Sequence, residues 1–387
     1  MRHLALIPVL LIGSMASAAT WHVAQDGSGD FTIIQDAVDA ASAGDVIRIH
    51  AGRYLHITEH WDVYGNGTSF ADNHVVITKD NLTLQGDGPD VTIIGPASYP
   101  SDPGPNYTGI SVTYNEANTL TIRDLAVENV RYGVFGACPY LNVTNCRFFD
   151  TLNEAIYLRL ADGLTEITDC FFDDCGGGLF GHPESDNIEV RNCVFEASTQ
   201  PMVFIGNTGV VIDGCEITGA LGAINLQQGS IGSISNCSIY DSVVNSIATS
   251  LDGYVDVSRC IIEGGQSGLF LQGGGGCHVE ECTFRGQTYA AAYISSHGPN
   301  VITDCNILNG GLWSVYCLGS ADCYLDMRGN YWGTDSEAQI QAWIYDANDN
   351  PAHNCTVDYI PFSNVVSIEE KSWSAVKGLF VAPERGE

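Results

Sequence analysis

Lysine is scarce in this sequence. Only Lys79, Lys371 and Lys377 occur in 387 residues, and Lys and Arg together number 15 against 46 Asp and Glu. The formal net charge of −31 repels nucleic acid and anionic membranes, which argues against both as partners. It also disfavours a polyanionic glycan unless Ca²⁺ bridges the charges. Solubility is the plainer consequence of such acidity. Long apolar runs are missing as well. The stretch from Leu4 to Ile12 is too short to span a bilayer, and no later segment has membrane length, so no transmembrane segment is expected. Helical periodicity is absent through the middle of the chain, which excludes an all-helical solenoid there.

What is present begins with MRHLALIPVLLIGSMASAAT, a short basic start, an apolar run and the small residues Ala16, Ser17 and Ala18. This predicts a signal peptide over 1–19, cleaved after Ala18 or Ala19, and a secreted or cell-surface protein. Fourteen cysteines in an exported chain ordinarily suggest disulfides, but their spacing points elsewhere. Cys146, Cys170, Cys193, Cys215, Cys237, Cys260, Cys282 and Cys305 recur every 22 to 24 residues in one frame, as in VTNCRF, ITDCFF, VRNCVF and ISNCSI. Leu125 leads the series and Asn330 ends it. A repeat of this length marks a solenoid whose units bury their apolar sides against their neighbours.

Short Val/Ile/Phe stretches among many Gly and Asn select a parallel β-helix. The residue before each cysteine is Asp124, Asn145, Asp169, Asn192, Gly214, Asn236, Arg259, Glu281, Asp304 or Gly329. Asn, Asp and Gly tolerate a left-handed backbone, so this position predicts a bend between strands. Arg259 and Glu281 stand outside that preference. The cysteine after the bend and the Phe or Ile two positions on should both point inward. In-register cysteines on adjacent coils have parallel Cβ vectors and poor disulfide torsions, so a column of free thiols is expected. Cys317 with Cys323 is the expected bridge among those off the column.

A second register, small–apolar–X–apolar, follows about ten residues after each cysteine. If the apolar residues face the core, X faces out. X is then Phe135, Tyr157, Phe180, Phe204, Asn225, Ala248, Phe270, Tyr293 and Tyr316, of which seven are aromatic. Two residues on lie Arg159, His182, Gln227 and Gln272, and the row on the other side is mostly Gly, Ala and Ser. Aromatic faces flanked by amides suit sugar rings, so Phe135, Tyr157, Phe180, Phe204, Asn225, Gln227, Phe270, Gln272, Tyr293 and Tyr316 are candidate ligand-binding residues for a polysaccharide or glycan. The competing reading is that stacked aromatics only stabilise the sheet or lie under a loop or tail. The turn before this strand carries Asp150, Asp173–Asp174, Glu196, Asp241 and Glu263. A rail near Asp150, Asp174 and Glu196 could coordinate Ca²⁺, or be a solvated turn.

At the start of the repeat region, WHVAQDGSGDFTIIQDAVDAASAGDVIRIHAGRY reads as strand, Gly-rich loop, amphipathic helix and strand. That helix would cap the open solenoid. VAQDGSGDFTIIQDAVDAA and LTLQGDGPDVTIIG resemble the opening of pectin methylesterases, within the pectin-lyase-like superfamily of right-handed parallel β-helix proteins. GNYWGTDSEAQIQAWIYDANDNPAHNCTVDYIPF resembles the closing segment of secreted bacterial β-helix proteins, with Ser336 starting a short C-terminal helix. The resemblance implies an all-β right-handed parallel β-helix over 20–365. Its coil repeats cover about 110–335 and its C-terminal cap 336–365, followed by a linker or sorting tail over 366–387.

Among catalytic motifs, FFDTL at 148–152 is similar to the methylesterase first-aspartate motif and would give Asp150 that role. Glycines in CGGGLFG stand where the second aspartate belongs, and no Arg-Pro-Trp motif occurs. The polygalacturonase constellation is also absent. His56-Ile-Thr-Glu59-His60 spells H-x-x-E-H, but without a helix the two histidines do not share a face for zinc, so a polar loop is expected. Three functions remain open at this level. The first is carbohydrate or cell-surface polysaccharide binding through the aromatic strip. The second is a polysaccharide lyase or glycoside hydrolase with Asp150, Arg159, Asp174 and His182 as catalytic candidates. The third is a structural or adhesive surface protein.

Overall fold

Each repeat unit closes one turn of a parallel solenoid. The computed structural model describes residues 18–364 apart from 62–69, 105, 114–118, 160–162, 184, 309–310 and 320–322. Its strands stack into three sheets of 14, 11 and 13 strands, the first, second and third sheets below. In one coil, Thr165–Thr168 runs in the first sheet and Asp169 bends the chain. Phe171–Asp173 then runs in the second sheet, Asp174 bends it again, and Gly177–Gly181 runs in the third. Adjacent coils pair in parallel register, as Val143 with Ile167 and Ile167 with Val190. Thr58–Trp61 pairs antiparallel with Phe70–Ile77 at the edge of the third sheet.

The bend before the cysteine is left-handed in every repeat. Asp124, Asn145, Asp169, Asn192, Asn236, Arg259, Glu281 and Asp304 have φ between 50° and 59°, and Gly214 and Gly329 take 65° and 79°. Arg259 and Glu281 conform although their side chains do not favour it. Their backbones are held by the ladder, with Arg259 N donating to Glu280 O, and Arg259 Nε donates to Asn236 Oδ1 at 3.0 Å. A per-residue left-handed cost of about 1–2 kcal/mol is small beside the pairing of a whole coil.

Past the bend, all eight column cysteines are free and buried. The backbone N–H groups of Cys215, Cys237, Cys260 and Cys282 each donate to the Sγ of the next coil's cysteine at 3.4 Å. Sulfur thus accepts from a bend N–H that would otherwise lie unpaired in the core. Asn330 closes the row with a side chain that fits a chain end. Its Oδ1 accepts from Cys305 N at 2.8 Å, while Nδ2 donates to Ile302 O and Met327 O. Two residues on from the cysteines, Phe148, Phe172 and Phe195 form an inner stack, with centroids 5.2 and 4.4 Å apart.

The expected Cys317–Cys323 bridge is corrected. Cys317 pairs with Cys355, with Cα atoms 5.9 Å apart, and Cys323 is free with its Sγ 3.8 Å from that of Cys317. Cys323 and Cys355 are in-register neighbours on adjacent strands of the first sheet. Cys317 reaches Cys355 across the interior from the third sheet, where opposed Cβ vectors can meet.

Both ends are capped as expected. Helix α1 (Ile34–Ala40) buries Ile34, Ala37 and Val38 over the first coils. Its Gln35 side chain accepts from Val76 N at 2.8 Å and donates to Val76 O at 3.1 Å, pairing an exposed strand edge. Helix α2 (Glu337–Ala342) starts at Ser336, whose hydroxyl accepts from Gln339 N at 3.4 Å. The predicted signal segment lies almost wholly, and the 366–387 tail entirely, outside the described residues. No helix among the described residues is long and apolar enough to cross a membrane.

Candidate functional site

The third sheet sets its outward row by register. Phe135, Tyr157, Phe180 and Val203 align on successive coils, followed by Asn225, Ala248, Phe270, Tyr293, Tyr316 and Tyr345. Phe204 is not in this row. It aligns with Gly181 and Leu226 and is fully buried, so its place among the binding candidates is corrected to core. The run Pro201-Met202-Val203-Phe204-Ile205 is apolar at every position. Its frame is therefore fixed only by pairing with the neighbouring coils.

A second correction concerns the flanking Gly, Ala and Ser row, which points inward. A Cβ at Gly178 would lie 2.7 Å from the Phe195 ring, and one at Gly268 would lie 2.8 Å from the Phe284 ring. The small residues make room for the second sheet's inner phenylalanines. The outward neighbours are instead Glu154, Gly177 and Gln200, then Gly222, Asn245, Ser267, Ala290 and Trp313. Gln200 and Asn245 escape a reading that follows only the small–apolar frame. They become visible when the first residue of each third-sheet strand is aligned.

Rather than one continuous strip, the aromatics form two stacks. Phe135, Tyr157 and Phe180 lie in parallel at centroid spacings of 4.9 and 5.0 Å, with Tyr132 edge-on to Phe135 and Tyr157. Phe135 is only 4% exposed beneath them. The other stack joins Phe270 to Tyr293 at 4.8 Å, Tyr293 to Tyr316 at 5.5 Å and Tyr316 to Tyr345 at 4.9 Å, flanked by Tyr289 and Trp313. Rings at these spacings leave no room for a sugar between them, although Tyr293 and Tyr316 are tilted by 40°. Phe180 and Phe270 end the two stacks on the sides that face each other along the row, next to Val203 and Ala248.

Between them lies a saddle three coils wide, floored by Val203, Asn225 and Ala248. A groove of about 210 Å³ opens here against Gln200, Gly222 and Asn245, with Leu221 and Val244 exposed on its rim. Gln227 and Gln272 stand on the opposite side of the outward row, on their strands' last turns outward. From Gln200 to Ser295 the outward positions of this sheet are amides, hydroxyls, aromatics, aliphatics and Gly. None is Asp, Glu, Lys, Arg or His.

The four catalytic candidates separate into two pairs. Asp150 and Asp174 are left-handed bend residues on adjacent coils, with φ of 49° and 53°, between the second and third sheets. Burial, then the charge of Asp174, raises the Asp150 carboxyl above its usual range. Arg159 and His182 follow the third-sheet strands Glu154–Leu158 and Gly177–Gly181, at the opposite edge of that sheet. A five-residue strand at about 3.3 Å per residue stands between the pairs. Glu196 belongs to a different row again, paired with Asp173 in the second sheet, so the proposed calcium rail is divided between bend and strand. Among the described residues, the group of three potential ligands whose donor atoms come within 4.8 Å of one another is Cys317, Cys323 and Cys355. His56 precedes the strand Thr58–Trp61, which contains Glu59, so H-x-x-E-H runs into a strand rather than the expected loop and is not helical; the side chain of His60 lies outside the described residues.

Comparison with known proteins agrees with this geometry. The family model "Right handed beta helix region" matches residues 61–203, 154–308 and 245–361 in overlapping copies, most of the chain. The chain belongs to the right-handed β-helix family. The expected pectin-lyase-like fold is thereby borne out, and with it the likeness to pectin methylesterases. A probable pectinesterase/pectinesterase inhibitor of Arabidopsis thaliana is 26% identical over 195 residues, 50% of this chain and 31% of that protein. The β-helix thus spans about a third of this curated relative's length.

Among solved structures, the A-module of a mannuronan C-5 epimerase from Azotobacter vinelandii matches with a TM-score of 0.44 at 16% identity. That match covers 85% of this chain and 90% of the module. The catalytic unit of an α-1,3-glucanase from Streptomyces thermodiastaticus matches at 0.47 and 13% identity, covering 86% and 67%.

Proposed function

We propose that this β-helix protein is exported and binds carbohydrate through the outward face of its third sheet. The observation that carries the reading is the saddle, an uncharged groove lined by Gln200, Asn225 and Asn245 between the two aromatic stacks that Phe180 and Phe270 terminate. C–H faces of a sugar stack on Phe180 and Phe270, while Gln200, Asn225, Asn245 and Gln227 can exchange hydrogen bonds with its hydroxyls. The relatives' names, a pectinesterase, an epimerase and a glucanase, support a carbohydrate partner.

Glycan-array binding by the intact protein tests it. Phe180→Ala with Phe270→Ala together should weaken retention roughly tenfold or more without lowering the melting temperature by more than a few degrees. Retention unchanged in that double variant would overturn the reading.

A lyase or hydrolase reading retains one support, Asp150, whose carboxyl is raised by burial and by the charge of Asp174 beside it. On the binding reading, polysaccharides incubated with the protein release no reducing or unsaturated ends, and Asp174→Ala leaves glycan retention unchanged. Release of such ends that Asp174→Ala abolishes would favour the enzyme.

A further inference from the structure

The distribution of charge narrows the kind of glycan, and the argument rests on the binding reading just given. The chain carries 46 carboxylates on 387 residues, yet the outward positions from Gln200 to Ser295 carry none. The residues between each second bend and these strands are also uncharged, Ser198-Thr199, Ala220-Leu221, Ser242-Val243-Val244 and Gly265-Gln266, the carboxylates of Glu196, Asp241 and Glu263 lying at the bend or before it. Elsewhere the outer surface bears acidic residues on every scale, for example Glu189 and Asp213 in the first sheet and Asp173 and Glu196 in the second. A solvated surface of a protein with this composition would show carboxylates here too.

Two consequences follow from the missing charges. A uronate or sulfated sugar needs a cation, either Arg or Lys for its acid group or Ca²⁺ held by protein carboxylates. The saddle offers neither, and the net charge of −31 repels such a chain at a distance. A neutral sugar presents only hydroxyls and C–H faces, and those are what Gln200, Asn225, Asn245, Phe180 and Phe270 match. The absence of any acid or base on this face also leaves a bound glycosidic bond uncut.

We infer that the saddle is a subsite for an uncharged glycan, a polysaccharide of neutral pyranoses rather than of uronates. The groove of about 210 Å³ has room for a sugar ring and is lined by Gln200, Gly222, Asn225, Asn245 and Ala248 with Leu221 and Val244; Phe180 and Phe270 stand beyond it as outer walls in the same outward row, four coils apart. At about 4.8 Å per coil the walls stand about 19 Å apart. A ligand engaging both walls must be a short oligosaccharide rather than a monosaccharide, and engagement of both adds the second contact intramolecularly.

Calorimetric titration of the intact protein tests this with two panels. One holds cello-, manno-, xylo- and laminari-oligosaccharides; the other holds oligogalacturonate and oligomannuronate, each with and without Ca²⁺. The expected result is binding of at least one neutral series, with affinity rising on lengthening from monosaccharide to about six units. Affinity should change less than about twofold between low and high salt. Asn225→Trp, which fills the saddle from an outward position, should abolish binding. Asn225→Ala with Asn245→Ala should weaken it roughly tenfold. Circular dichroism and thermal unfolding check that both variants fold; should Asn225→Trp misfold, the alanine pair decides.

Binding confined to the uronate panel, or dependent on Ca²⁺, would overturn the neutral-glycan inference and leave carbohydrate binding standing. Neutral binding that survives every saddle variant would overturn the location. Binding of neither panel would remove the carbohydrate reading and this inference together.

Discussion

At the residue scale, the fold depends on polar groups that have one suitable partner each. Asn330 serves a cysteine backbone N–H and two carbonyls at once, and it is fully buried. Asn330→Leu leaves these unpaired and should cost about 1–3 kcal/mol for each strongly affected group, measured by urea unfolding. His74 is the corresponding acid-sensitive point. It sits 2.9 Å from Tyr107 Oη and 3.0 Å from the carbonyl O of His56, and burial pushes its imidazole down to about 4 from 6.5. A base with a depressed folded pKa contributes stability that is present above about 6.5 and lost as pH falls toward about 4. The loss should be on the order of 3 kcal/mol. Unfolding free energies measured from pH 8 to 4 should fall in that window, and His74→Asn should flatten the decline. The buried thiols act at the opposite end. Burial pushes Cys175 up to about 11 and Cys277 up to about 12, so their contribution is present below about 9 and fades above it.

At the scale of the element, the third-sheet strand is shaped by what lies beneath it. Gly178 and Gly268 face the rings of Phe195 and Phe284, so the strand can sit close to the second sheet only where its side chain is absent. Gly178→Val should overpack this contact and cost about 1–3 kcal/mol, seen as a lower urea midpoint at unchanged slope. Phe172→Ala, at the centre of the inner stack, should cost about 3–5 kcal/mol in the same assay. At the C-terminal end, the Cys317–Cys355 bridge closes a separation of 38 residues. In the chain-entropy account its removal by Cys355→Ala should cost about 4 kcal/mol, measured against the oxidised parent.

At the scale of the whole molecule, coils contact their neighbours alone, so length and function can be altered one rung at a time. Deleting residues 226–248, the span from Leu226 to Ala248, removes one period and should preserve the fold, since Asn225 would be followed by Thr249 at the matching place in the pattern. The Phe180 and Phe270 walls would then stand about one 4.8 Å rung closer. The expected outcome is a cooperative thermal transition with shorter oligosaccharides preferred in titration. Loss of all binding with the fold intact would indicate that the saddle floor, not the wall spacing, sets the ligand length. The negative charge also acts at this scale by keeping polyanions away from a surface whose binding face has no charge of its own.

The solenoid, its bends and its inner column were determined by the sequence, because each follows from chemistry local to a single repeat. A residue that tolerates φ above zero, followed by a small buried thiol and then Phe or Ile, specifies bend, core and strand without reference to distant residues. Even Arg259 and Glu281 could be placed by their position in the period. The aromatic row was partly legible in the same way, at Tyr157, Phe180, Phe270, Tyr293 and Tyr316. Tertiary structure decided what depends on the adjacent coil. In Pro201-Met202-Val203-Phe204-Ile205 the residue facing solvent is chosen by hydrogen-bond register with Gly181 and Leu226 rather than by hydrophobicity. Whether a ring offers a face or only an edge depends on the ring about 5 Å away on the next coil, which turned a presumed strip into two stacks and a saddle. The pairing of Cys317 with Cys355 over the nearer Cys323 depends on Cβ directions across the interior, and spacing along the chain does not encode direction.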